Sequence, residues 1–144
     1  QRLIPFFYIY FYNLRFSLSQ GFQFFRKTRE HCSQIIAECS ARGWNRLALH
    51  GLTDIAEIVF ICASEYDVKI VGILDDASTI HSYTNVPIVA AFRDLAEFDA
   101  MIVTDIGDAQ RSYIYLVSQL PEERVFVPDI LNVTRKSSPI GEGK

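Results

Sequence analysis

The sequence predicts an α/β fold built on a doubly wound, mainly parallel sheet of about five strands. Three observations carry this. Continuous apolar runs at Leu47–His50, Val68–Leu74 and Ala100–Thr104 have no polar alternation, as expected for strands covered on both faces. Amphipathic stretches separate several of these runs, which is the rhythm of strand–helix–strand crossovers. A glycine, Gly51, closes the first run, and an acidic pair, Asp75-Asp76, closes the second about two dozen residues later. That is the layout of the first half of a dinucleotide-binding unit.

Along the chain, the elements follow from local chemistry. Leu18, Phe22, Phe25, Arg29, Cys32, Ile36 and Cys39 are spaced 4, 3, 4, 3, 4, 3, which is a heptad seam and predicts a helix. Such a seam serves either packing on its own domain or self-association, and self-association is the favoured reading. Gly21 weakens the start of the helix. Gly43 suits its left-handed end. Leu47–His50 is the first strand. Asp54–Glu65 is a helix with Ile55, Ile58, Val59 and Cys62 on one face. Val68–Leu74 is the second strand, Asn85–Val89 a short third, and Phe92–Glu97 a brief helical turn. Ala100–Thr104 is the fourth strand. Asp108–Leu120 is a helix with Tyr113, Leu116, Val117 and Leu120 inward. Arg124–Val127 is the fifth strand, ended by Pro128, which has no donor for the ladder. The chain thus divides into an aromatic N-terminal segment and helix (1–43), an α/β domain (44–132) and a flexible Ser/Gly/Pro-containing tail (133–144).

Composition narrows the function classes. The chain has 144 residues, 49% of them apolar, which is ample for a packed core. A net charge of −3 gives no basic excess, so direct nucleic-acid binding is not expected. Three cysteines, Cys32, Cys39 and Cys62, make an odd and sparse set. They indicate a reducing, cytoplasmic setting and small buried hydrophobes, not a disulfide framework or a metal cluster. Ten of the 19 aromatic residues lie between Phe6 and Phe25. The apolar run Leu3–Tyr12 is shorter than the roughly 20 residues a membrane span needs. It also lacks a signal-peptide cleavage site. Membrane-surface anchoring is one reading of this segment, but cover by a partner chain or a missing domain is favoured, because large apolar patches are seldom left bare. The expected partner is a second copy, through residues 6–39. The chain starts without Met and reads as a fragment or a processed product.

The binding candidates are Gly51, Leu52, Thr53, Asp75, Asp76 and Thr104. A dinucleotide fingerprint asks for glycine at the positions of Gly51, Thr53 and Ala56. The first is present and the alanine is acceptable, but Thr53 crowds the approach to a pyrophosphate. Asp54 is expected to cap the following helix while Glu57 reaches back to it, and both carboxylates oppose a bound phosphate. Asp75 suits a ribose diol in one reading and a simple turn in the other. Thr104-Asp105 suits the crevice or the entry to a helix cap. His50 abuts the glycine and reads as a strand-end residue. No Ser-His-Asp spacing, Tyr-x-x-x-Lys arrangement or metal cluster is visible, so no catalytic residue is assigned.

The runs Arg46-Leu-Ala-Leu-His-Gly-Leu-Thr-Asp-Ile-Ala-Glu57, Ile70-Val-Gly-Ile-Leu-Asp-Asp76 and Val86-Pro-Ile-Val89 together resemble small Rossmann-like domains of bacterial sugar metabolism. These include the N-terminal domains of sugar O- and N-acyltransferases and the nucleotide-sugar epimerase/dehydratase group. The resemblance is closer still to the related domain that follows a winged-helix module in some bacterial regulators, where a long helix leads into a similar "ALxGxxxxAE" run. It covers about residues 46–130. It implies a small-molecule site at Gly51, Asp75 and Asp76, with NAD(P) or a nucleotide-sugar as the candidate ligand and Thr53 as the departure that weakens it. It implies no catalytic residue. The function expected is a non-catalytic, ligand-sensing and dimerising domain of a larger regulatory protein. The alternative is the nucleotide-binding part of a sugar-modifying enzyme.

Overall fold

A computed structural model of the chain describes the backbone of residues 3–135 and the side chains of residues 18–135. Helix α1 (Leu3–Ala41) leads into β1 (Arg46–His50), α2 (Asp54–Ala63) and β2 (Lys69–Leu74). A short hairpin, β3 (Ser82–Tyr83) and β4 (Val86–Val89), precedes β5 (Ala100–Val103), α3 (Ala109–Gln119) and β6 (Val125–Phe126). The fold is a Rossmann-like α/β fold. Its six-stranded sheet runs β3-β4-β2-β1-β5-β6. Every pairing is parallel except β3 with β4. From β1 the chain winds outward through β2 and β4 to one side, then returns to β5 and β6 on the other.

The sixth strand is the departure from the sequence expectation. It arises because Thr84 and Asn85 both take positive φ, 51° and 66°, and close a two-residue hairpin. Such turns favour Asn-Gly, and Thr-Asn is a weak written form of the signal.

Alternate strand residues feed two cores, as the pleat requires. Leu47, Leu49, Ala100 and Ile102 face α1 and α2. Ala48, Met101 and Val103 face α3, where Tyr113 and Leu116 are fully buried. Val117 and Leu120 complete the inward face of α3 but are only partly buried. The α1 side is the larger core.

Helix α1 has 39 residues and is therefore about 58 Å long. Its C-terminal part is built into the domain. Cys32, Ile36 and Cys39 are fully buried against α2 and the sheet. Arg29 pairs with Glu65 just beyond α2. Gly43, with φ +79°, turns the chain past the helix end, and the Trp44 amide donates to the Cys39 carbonyl. The seam thus serves two purposes. Three of its seven positions are core of the same chain, whereas Leu18, Phe22 and Phe25 are exposed at 55%, 66% and 40%. The Leu3–Tyr12 run lies in the same continuous helix, and among the described residues no helix is long and apolar enough to cross a membrane.

All three cysteines are free and buried. Burial, with Cys62 adding to it, pushes the Cys32 thiol up to about 12. Burial does the same to Cys39, with Glu38 contributing. Cys32 and Cys39 are packing residues held in the neutral form.

Past β6, the chain stays attached. The Thr134 amide donates to the Gln110 side chain at 2.8 Å, and Arg135 donates to the Val125 carbonyl at 3.2 Å. The residues just past the expected boundary at 132 are thus hydrogen-bonded to α3 and β6. The rest of the expected tail, 136–144, lies outside the described residues.

Candidate functional site

The site forms where the sheet reverses its winding. β1 lies between β2 and β5, and their carboxyl ends open on one crevice. Gly51 makes the first turn. Its φ is +109°, and a Cβ there would come within 2.9 Å of the Asp105 backbone. Only glycine satisfies both the dihedral and the approach. This brings the loops after β1 and β5 into contact.

Thr104 locks that contact. It is fully buried, its amide donates to the His50 carbonyl at 3.0 Å, and its hydroxyl reaches the His50 and Gly51 carbonyls. In return, the Thr104 carbonyl accepts from the Thr53 hydroxyl at 2.5 Å. Thr53 is also the N-cap of α2, with its Oγ1 accepting from the Ile55 and Ala56 amides at 3.2 and 3.4 Å. The expected cap at Asp54 is thus corrected. Asp54 is already the first helical residue, because the turn at Gly51 completes early and leaves Thr53 extended at φ −137°. Residue Glu57 does not sit three positions past the cap, so no capping box with Asp54 forms.

Asp75 closes the other side of the loop. Its Oδ2 accepts from the Leu52 amide at 2.9 Å and its Oδ1 from the Ala77 amide at 3.0 Å. Asp105 mirrors it from β5, accepting from the Gly107 amide at 3.0 Å and the Ser112 hydroxyl at 2.8 Å. Asp108 caps α3 through the Arg111 amide at 3.3 Å.

The resulting cavity has a volume of about 830 Å³, within the range of small-molecule sites. Gly51, Thr53, Asp75 and Asp76 line it together. Leu52 and Thr104 do not. Leu52 packs on the α2-side core and offers only its amide to Asp75, and Thr104 is a buried brace. His50 lines the cavity, and its Nδ1 is buried without a hydrogen-bond partner among the described residues.

The opposite wall was not legible as a site in the sequence. It consists of Phe92 and Arg93 after β4, and Arg111, Ser112, Tyr115 and Gln119 on α3. The Phe92 and Tyr115 rings meet edge to face at 6.5 Å, and His50 lies 6.5 Å from Tyr115. Tyr115, an aromatic set among Arg111, Ser112 and Gln119 on one helix face, was the one available signal. Among the described residues, no cluster of His, Cys, Asp and Glu could hold a metal ion. The sequence matches no protein-family model and no curated protein.

Proposed function

We propose that this chain is a non-catalytic, ligand-sensing α/β domain of a larger bacterial regulatory protein, self-associating through the exposed part of α1. One observation carries the ligand reading: the cavity of about 830 Å³ at the topological switch, lined by His50, Asp75, Asp105, Phe92 and Tyr115. Crevices at that position are where open α/β sheets bind their ligands. The resemblance to domains that follow winged-helix modules supports the regulatory setting.

A thermal-shift screen tests this reading. The panel should hold organic acids, amines, amino acids, nucleosides and dinucleotides. At least one compound should raise the melting temperature, and Tyr115→Ala should remove that shift. Free NAD is expected to bind only weakly by calorimetry, because the Gly51 and Leu52 amides are occupied and Asp75 stands beside them. Silence across the whole panel would sink the ligand reading. Low-micromolar NAD binding would move the assignment to the second reading, a nucleotide- or nucleotide-sugar-binding domain of a sugar-modifying enzyme. That reading draws on Arg93 and Arg111, the two cations in the cavity lining.

The assembly reading rests on Leu18, Phe22, Phe24 and Phe25, all exposed on one stretch of α1. Aromatic side chains bury about 150–250 Å² each, and a second copy is the partner that would cover them. Sedimentation at micromolar concentration should show a dimer or larger, and Phe25→Glu should shift it toward monomer. A wild-type monomer would refute self-association.

A further inference from the structure

The start of α2 is the natural seat for an anion in this crevice, because a helix N-terminus and its preceding bend present free amides. In this chain five of those amides are already engaged. Gly51 donates to the Leu74 carbonyl at 2.9 Å and Leu52 to the Asp75 carboxylate at 2.9 Å. Ile55 and Ala56 donate to the Thr53 hydroxyl, and Glu57 donates to the Thr53 carbonyl at 3.1 Å. The negative charge that the bend favours comes from within the chain. Around it stand further carboxylates, with Asp76 and Asp105 in the cavity lining and Asp54 and Glu57 in the first turn of α2.

We infer that Asp75 is a specificity residue: it supplies the bend's own anion and so reserves the crevice for uncharged, hydroxyl-bearing ligands with a flat ring, against their phosphorylated forms. This rests on the crevice being a ligand site. The acceptor chemistry fits. Each ionised carboxylate has about four lone-pair sites, and Asp75 and Asp105 each spend only two on the chain. The rest can accept from ligand hydroxyls and offer nothing to a phosphate. Tyr115, 42% exposed and flanked by Phe92, presents a ring face for stacking. The arginines do not reverse this. Arg111 is 85% exposed and sits 3.4 Å from Asp108, so its charge is screened and shared. Arg93 is likewise exposed.

Calorimetry on the full chain decides the matter with matched pairs: the four common nucleosides and phenyl glycosides, each against its phosphorylated counterpart. At least one unphosphorylated probe should bind, and its phosphorylated partner about tenfold or more weaker. Asp75→Asn keeps an acceptor for Leu52 but removes the charge, and should shrink that gap to about threefold or less. Asp76→Asn removes a charge that holds no loop amide, and should change the gap less. Phosphorylated probes binding as well as or better than their parents in wild type would overturn the inference while leaving the crevice reading intact. So would binding by other compound classes alone. A gap unaltered in a folded Asp75→Asn variant would overturn the role of Asp75. If that variant does not fold, the wild-type pairs alone decide the ligand class.

Discussion

Gly51→Ala should destabilise the chain by about 3 kcal/mol and lower its melting temperature by roughly 10 °C. Two costs add. The backbone sits at φ +109°, a conformation that an L side chain rarely adopts. The new methyl would also lie 2.9 Å from the Asp105 Cα and 3.1 Å from its amide nitrogen. Those are backbone atoms at the end of β5, held in place by the Thr104 bonds to the β1 loop, and they cannot swing aside as a side-chain tip can. Relief requires the loops after β1 and β5 to separate, which breaks the Thr53–Thr104 bond and opens the cavity. Ligand binding should therefore fall together with stability. A Gly51→Ala variant that melts like wild type would show that the close approach to Asp105 is wrong.

Ile36→Ala should cost about 2–4 kcal/mol, whereas Phe22→Ala should leave the stability of the isolated fold within about 0.5 kcal/mol. The two residues share one helix and one heptad seam but differ in what they touch. Ile36 is fully buried in the α1–α2 core beside Cys32, Cys39 and the strand residues Leu47 and Leu49. Truncating it leaves a cavity that a packed sheet and two helices cannot fill. Phe22 is 66% exposed, so its loss removes little contact within the chain. Its effect should appear in the oligomer equilibrium instead. Chemical denaturation at a concentration low enough to dissociate any oligomer separates the two. Equal losses for both variants would mean that the N-terminal half of α1 folds back onto the domain.

The chain's own sequence determined the fold class and the places of the main buried strands. The reason is local and periodic. A strand buried on both faces must be apolar throughout, so Leu47–Leu49, Ile70–Leu74 and Ala100–Val103 announce a parallel sheet without any knowledge of their neighbours. A turn that needs positive φ asks for glycine, so Gly51 and Gly43 mark a loop and a helix end directly. The acidic tip at Asp75-Asp76 was visible for the same reason, as charge placed where a buried strand must surface. Tertiary structure alone decided the rest, because each remaining feature depends on residues distant in sequence. Thr53 has the same side chain whether it obstructs a phosphate or caps a helix, and only the position of the Thr104 carbonyl, 51 residues away, shows its hydroxyl spent on both cap and brace. Asp75 reads alike as a ligand-binding carboxylate and as a loop anchor until the Leu52 amide, 23 residues back, is seen to donate to it. Phe92 and Tyr115 became one cavity wall only when the segment after β4 met α3 over the strand ends. The heptad seam of α1 could not reveal where it divides, because periodicity records that a face is apolar and not what covers it. Packing against α2 claimed Cys32, Ile36 and Cys39 for the core and left Leu18, Phe22 and Phe25 outside it.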